Sequence, residues 1–405
     1  MAKKEKAQSD TEVDQEVDSL KLSKLLINEL NKDSDKTGKV AWCLATDDDN
    51  PTDVKEFISF GSTLLDYIAT NRENGGAPVG KLTEITGEEA SGKSLILAHL
   101  MAETQRRGGI AAYLDVENSA NPEFMTRLGV NTKELIYLQP QTVEEVGEAI
   151  EKIILMVRTR APNKLVLIAW DSIAATPAAC EIEGDFALGM DLQLAKSKIL
   201  AKMMRKITQT LGKERICLVF TNQLKTKIGV MYGDPLVAPG GKAVPFHASL
   251  RIRLEAGQKQ KDAKTEEIYG IHTRAKIVKN RLGPPWRKAE FDILFASGID
   301  NESSWLQKLH EVGEIEKADG WCYMVSYPSG KLGVKGVWAG KDRGIGFREK
   351  EFSKLVKEDE KLRLHVLSLL KNHMIVKYGE KPRDLVEDPG SLIDDATVEE
   401  IVEKV

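Results

Sequence analysis

No two of the four cysteines (Cys43, Cys180, Cys217, Cys322) form a CxxC pair, and none has metal-ligand spacing with a histidine. They read as free thiols in a reducing compartment, which argues against a disulfide framework and against a zinc site. The chain also lacks an apolar run of membrane length, so no membrane partner is expected. Its first residues, MAKKEKAQSD, lack the apolar core of a signal peptide, and a cytoplasmic location is expected. A strong charge of either sign is missing too. The net charge of −4 at first argues against nucleic acid. Residues 381–405, however, hold eight acids against three bases, a local −5, so the rest of the chain sums to +1. The acidity sits in a tail and leaves room for a basic groove elsewhere.

What the chain does have is length: 405 residues, 41% hydrophobic and 30% charged, enough for two or three domains and one large core. Residues 1–12 are polar and read as disordered. From Val13 the spacing of Val13, Val17, Leu20, Ile27 and Leu30 predicts an amphipathic helix, which must pack on the body or on another subunit to cover its stripe. DDDNPTD (47–53) reads as a linker. Short apolar runs then alternate with helical patterns. LTEITG (82–87), IAAYLDVE (110–117), LVLIAWD (165–171) and ICLVFTNQ (216–223) are separated by predicted helices near 92–107, 142–159 and 192–211. Fully apolar strands between helices predict an α/β fold whose mostly parallel central sheet is covered on both faces. SLRIRLEA (249–256) and TRAKIVKNR (273–281) suit antiparallel strands continuing that sheet. After Ile299 the pattern turns helical and polar with aromatic pieces such as WCYMVSY (321–327). The division expected is an N-terminal segment over 1–52, a core over 53–300 and a small α+β domain over 301–405.

GEEASGKS (87–94) satisfies G-x-x-x-x-G-K-[ST] and stands between a predicted strand and a predicted helix. Gly87, Glu88, Glu89, Ala90, Ser91 and Gly92 would turn backbone N–H groups toward phosphate oxygens. Lys93 would supply charge at the β and γ phosphates, and Ser94 would ligate Mg²⁺. Asp171, ending LVLIAWD, falls where a second metal ligand belongs. Asp115 and Glu117 both end the neighbouring strand as candidate bases for an attacking water, and spacing does not choose between them.

The order of these pieces resembles the RecA family of homologous-recombination ATPases over about Phe57 to Ile299. ISFGSTLLDYI, GGAPVGKLTEITG, LDVENSANPEFMTRLGV, DSIAATPAACEIEG, FTNQLKTKIGVMYGDP, GGKAV and VKNRLGPPWRKAEF are similar to its successive signatures. The divergence between them suggests a distant member, bacterial or phage-encoded. The resemblance implies a RecA-type P-loop NTPase core and selects Glu117 as the water-activating carboxylate. It places Asn121, Phe124 and Phe295 beside adenine and makes Gln223 the sensor of the γ-phosphate. It carries Lys279 and Arg281 across a subunit interface to the neighbour's ATP, where two cations can stabilise transition-state charge.

The same resemblance implies two DNA loops. In EIEGDFALGMDLQLAKSK (181–198) Phe186, Leu188 and Met190 would wedge beside bases, and Lys196 and Arg205 would neutralise phosphates. In TNQLKTKIGVMYGDPLVAPGG (221–241) no helix or strand period fits. Lys225 and Lys227 would meet phosphates, Ile228 would enter a base step, and Gly229, Gly240 and Gly241 would let backbone approach the nucleic acid. Lys225, Thr226 and Pro245 depart from the residues common in the family, so the coupling of this loop to the subunit interface is where the protein is expected to differ. A basic run (Lys331, Lys335, Lys341, Arg343, Arg348, Lys350) suits a landing patch for duplex DNA, with the acidic tail as an electrostatic brake. The resulting expectation is an ATP- and Mg²⁺-dependent recombinase. Its partners would be single- and double-stranded DNA and further copies of itself in a helical filament. The rivals are a ring-forming motor or helicase on the same core and a non-catalytic recombination mediator.

Overall fold

The computed structural model describes residues 22–32, 39–44, 47, 50, 53–183, 190–212, 214–226, 236–237, 239–262, 264–324 and 345–377. Phe186, Leu188, Lys227, Ile228, Gly229, four of the six basic-run residues and the acidic tail lie outside them. Nine strands form one sheet: β1 (Leu82–Gly87), β2 (Ile110–Asp115), β3 (Ile136–Leu138), β4 (Val166–Asp171), β5 (Ile216–Gln223), β6 (Leu250–Lys261), β7 (Ile268–Asn280), β8 (Lys288–Leu294) and β9 (Gly298–Asp300). Their spatial order is β9-β8-β7-β6-β1-β5-β4-β2-β3.

From β3 to β6 every neighbouring pair is parallel, and β6 to β9 alternate in direction. The expectation that 249–256 is an antiparallel strand is therefore corrected. β6 runs parallel to β1 and is antiparallel only to its hairpin partner β7. Alternating polarity in a strand reports a half-exposed face, which either direction satisfies.

β1, β4 and β5 are buried along almost their whole length because helices cover both faces. The covering helices include α1 (Lys93–Arg106), α2 (Val143–Arg160) and α3 (Met190–Leu211). α2 starts where the Thr142 hydroxyl accepts from the Glu145 N–H at 3.1 Å, with Glu144 and Glu145 in the first turn and Arg158 and Arg160 in the last. That arrangement opposes the helix dipole at both ends. One apolar cluster lies on each face of the sheet. One holds Val146, Ile150, Trp170, Leu200 and Phe220. The other joins Ile96, Leu100 and Phe291 to Trp305, Leu309, Phe347, Phe352 and Leu370, so the small C-terminal sheet and its helices share a core with the large one.

Within the described residues a helix covers 22–30 and leaves Leu22, Leu25, Leu26 and Leu30 more than half exposed; Val13, Val17 and Leu20 of the expected helix lie outside the described residues. Its end is tied to 40–41 through Asn31, whose side chain bonds the Val40 N–H and both backbone groups of Ala41. Among the described residues no helix is long and apolar enough to cross a membrane.

Candidate nucleotide site and nucleic-acid interface

Parallel pairing brings the carboxyl ends of β1, β2, β4 and β5 to one edge of the sheet. Gly87 pairs with Gln223, and Asp115 pairs with Asp171. Crevices at the carboxyl ends of parallel strands are where open α/β sheets take ligands.

The 87–94 loop leaves β1 and wraps into α1. Gly92 sits at φ +95°, and a Cβ there would come within 2.4 Å of the Ile293 Cδ1 methyl, so this position takes no other residue without movement. Ala90 also has positive φ, at 55°. The Lys93 ammonium donates to the Gly87 and Glu88 carbonyls at 3.1 and 2.6 Å. Burial lowers its pKa, while Asp171, Glu117, Glu89 and Glu88 pull it back up. The Ser94 hydroxyl donates to Asp171 Oδ2 at 2.7 Å. Asp171 also accepts from Tyr113 OH at 3.1 Å and from the Thr221 hydroxyl. One hydroxyl beside one carboxylate suits Mg²⁺, which takes few protein ligands and completes its shell with phosphate and water. Among the described residues no group of three acidic, histidine or cysteine side chains is placed to hold a metal ion.

The two candidate bases part company in the structure. Asp115 is fully buried and accepts from the Ser119 and Ala120 N–H groups and from Tyr137 OH, so its oxygens hold the following turn. Glu117 lies two residues beyond the end of β2, exposed, where the Ser172 hydroxyl donates to it at 2.5 Å and the Gln223 amide at 3.5 Å. Ser172, Thr221 and Tyr113 were not singled out from sequence. Thr221 and Tyr113 are ordinary strand residues whose role depends on register; Ser172, just past the end of β4, lies inside the quoted DSIAATP signature.

Asn121 caps the helix Pro122–Arg127 by accepting from the Phe124 N–H at 3.0 Å. Phe124 is half-buried against the core, whereas Phe295 is half-exposed just after β8.

The flanks of the two loops meet beside this edge. Lys225–Thr226 pairs antiparallel with Leu236–Val237, so the loop over 221–241 has a strand-paired stem where no period was legible. Asn222 donates to the Pro239 carbonyl at 2.9 Å. Gly241, at φ +73°, lies against α3, where a Cβ would come within 2.9 Å of Ser197 Oγ; Gly240 faces Leu200 and Ile173. Lys196 on α3 and Lys225 are close enough that their charges repel. Burial is the larger cause of the lowered Lys196 pKa, and Glu181 opposes it. Arg205 lies further along α3, its Nε donating to the Ala201 carbonyl. Met190 opens α3.

Lys279 and Arg281 lie elsewhere. Lys279 pairs with Arg251, itself opposite Glu84, and the Arg281 N–H donates to Ser249, whose own N–H bonds Leu82. Leu82 begins the strand that ends at Gly87, so Arg281 sits at the opposite end of the sheet, about 17 Å back along the strands. Under this end Glu84 is fully buried, ion-paired with Arg251 and bonded by Asn222 at 3.2 Å.

The RecA N-terminal domain family matches residues 24–300. The chain is similar to Protein RecA of Trichodesmium erythraeum, 35% identical over 335 residues that cover 82% of this chain and 87% of that protein. Protein RecA of Paracoccus denitrificans is 36% identical, covering 70% and 76%. That of Corynebacterium efficiens is also 36% identical, covering 84% and 80%. With a phosphate loop and a hydroxyl–carboxylate pair at the carboxyl edge of the parallel strands, the chain belongs to the RecA family.

Proposed function

We propose that this protein is a DNA-dependent ATPase that assembles with ATP into a helical filament on single-stranded DNA and exchanges strands with a homologous duplex. The observation that carries this reading is the position of Gln223. Its amide reaches Glu117 at the nucleotide edge, and two residues later the chain enters the stem of the second loop. A residue so placed changes partner when γ-phosphate is present and passes that change to the loop.

The remaining roles follow from position. The 87–94 loop and Lys93 bind the phosphates of ATP. Glu117, oriented by Ser172, takes the proton of the attacking water. Mg²⁺ at Ser94 and Asp171 supplies charge neutralisation when bound. Phe124 and Phe295 offer rings to the base, with Asn121 beside them. Lys279 and Arg281 are too far from their own phosphate loop and serve the ATP of a neighbouring copy. The exposed leucines of 22–30 find their cover on another subunit. Lys196, Arg205 and Lys225 neutralise DNA phosphates and are not arranged for base readout, so homology is tested by base pairing. Residues 53–300 form the ATPase core in this reading, and 301–405 form an appended domain.

Strand exchange between circular single strands and linear duplex tests it. The wild-type chain should yield product with ATP and Mg²⁺, and Lys93→Ala should yield none. Glu117→Gln should assemble yet turn over about 10²–10⁴-fold more slowly. Absence of product from the wild-type chain refutes the reading.

A further inference from the structure

The segment 239–247 is held at several points, among them the fully buried Val244 side chain. Asn222 binds the Pro239 carbonyl, Gly240 and Gly241 pack on α3, and the short helix Ala243–His247 ends against Lys279 and Arg281. At that last point Lys279 Nζ donates to the Pro245 and Phe246 carbonyls, each at 2.8 Å, and Arg281 Nη2 donates to the Phe246 carbonyl at 3.2 Å. Carbonyls in the last turn of a helix lack intrahelical partners, and cations there are favourable. The two side chains that the proposed function assigns to a neighbour's ATP are thus engaged within their own subunit, on the arm by which the second DNA loop returns to the core.

We propose that Lys279 and Arg281 form a carbonyl latch on the 239–247 arm, and that the neighbour's phosphate works by drawing them off it. This rests on the cross-subunit reading of the same two cations. Phosphate oxygens carry charge where carbonyls do not, so they outcompete Pro245 and Phe246 for both donors. The cations also repel each other: burial is the first cause of the lowered Lys279 pKa, followed by Arg281 and Arg251, with only Glu84 opposing. An anion brought between them relieves that repulsion. Once the donors leave, the arm loses one of its anchors and is freer to shift against α3. Pro245 takes part through its main-chain oxygen, so the coupling survives the loss of a side-chain donor at that position. His247, on the same helix, faces Arg205, Lys279 and Arg281, and its ring lies 3.4 Å from the Thr208 hydroxyl. The arm therefore also touches the DNA-side helix.

The test is the full-length Lys279→Met/Arg281→Met variant without nucleotide. Hydrogen exchange at the Phe246 and Ala248 amides, which bond the Lys242 and Val244 carbonyls, should quicken about tenfold. Affinity for an oligo-dT strand should rise about threefold although two positive charges are gone, whereas simple phosphate neutralisation predicts a fall. Unchanged exchange or weakened binding overturns the latch. Lys279→Met alone keeps the Arg281 bond and should give an intermediate exchange rate, which keeps the test decisive if the double variant folds poorly. ATP-driven assembly on DNA separates the two readings. If the double variant assembles with ATP as the wild type does, the cross-subunit assignment fails. If it loses the ATP response but keeps wild-type exchange and affinity without nucleotide, the latch alone fails.

Discussion

Replacing Asp66 or His99 should tilt the pH dependence of folding stability in opposite directions. Asp66, on the helix Thr63–Thr70, accepts from Ser59 Oγ at 2.5 Å and from the Phe60 N–H at 2.9 Å. Burial pushes its carboxyl up from the usual 3.8 to about 7, against the lowering effect of those two bonds. The folded chain therefore holds this proton more tightly than the unfolded chain, and stability from this group is lost as pH rises from 3.8 toward 7. His99, on α1, is packed against Gly61 and Gly298. Burial lowers its pKa from 6.5 to about 4, so the unfolded chain protonates first and stability is lost as pH falls from 6.5 toward 4. In the shared window the slopes oppose each other, each about 1.4 kcal/mol per pH unit. Between about pH 4.5 and 6 each amounts to about 2 kcal/mol, somewhat less for His99, whose residue is not fully buried. Relative to wild type, Asp66→Asn should gain about 2 kcal/mol over that interval and His99→Gln should lose about as much. Urea unfolding at both pH values reads the difference. A variant-to-wild-type difference that does not change with pH refutes the assignment.

Two further outcomes test the neighbouring features. Arg251→Met leaves Glu84 charged and unpaired at full burial, which should cost about 3–5 kcal/mol by urea unfolding. Adding Glu84→Gln should recover most of that loss, and a cost below about 1 kcal/mol contradicts it. Lys196→Ala should lower the log–log salt slope of single-strand binding by about 0.7, the value for one phosphate contact, with an unchanged slope removing Lys196 from the interface.

The strands that position the site were legible because burial on both faces writes itself as unbroken apolar runs. ICLVFTNQ is the observed β5 to the residue, and LTEITG is β1. The phosphate loop was legible for a different reason, since its glycines answer to backbone geometry that no other residue meets. What escaped was whatever depends on which strand lies beside which. The hydroxyls of Thr221, Ser172 and Tyr113 converge on Asp171 and Glu117 only through the β2–β4–β5 register. The parallel course of β6 was hidden because alternation carries no direction. The stem at Lys225–Thr226 was hidden because two paired residues are too short to show a period. The docking of Lys279 and Arg281 on main-chain carbonyls had no side-chain partner for a motif to record.

The coupling of the nucleotide edge to the DNA loops is tested most directly by the rate of ATP hydrolysis with Mg²⁺, measured with and without single-stranded DNA on the full-length chain. If Gln223 joins the two sites, DNA should raise the rate about tenfold or more. An equal rate in the presence and absence of DNA would contradict it.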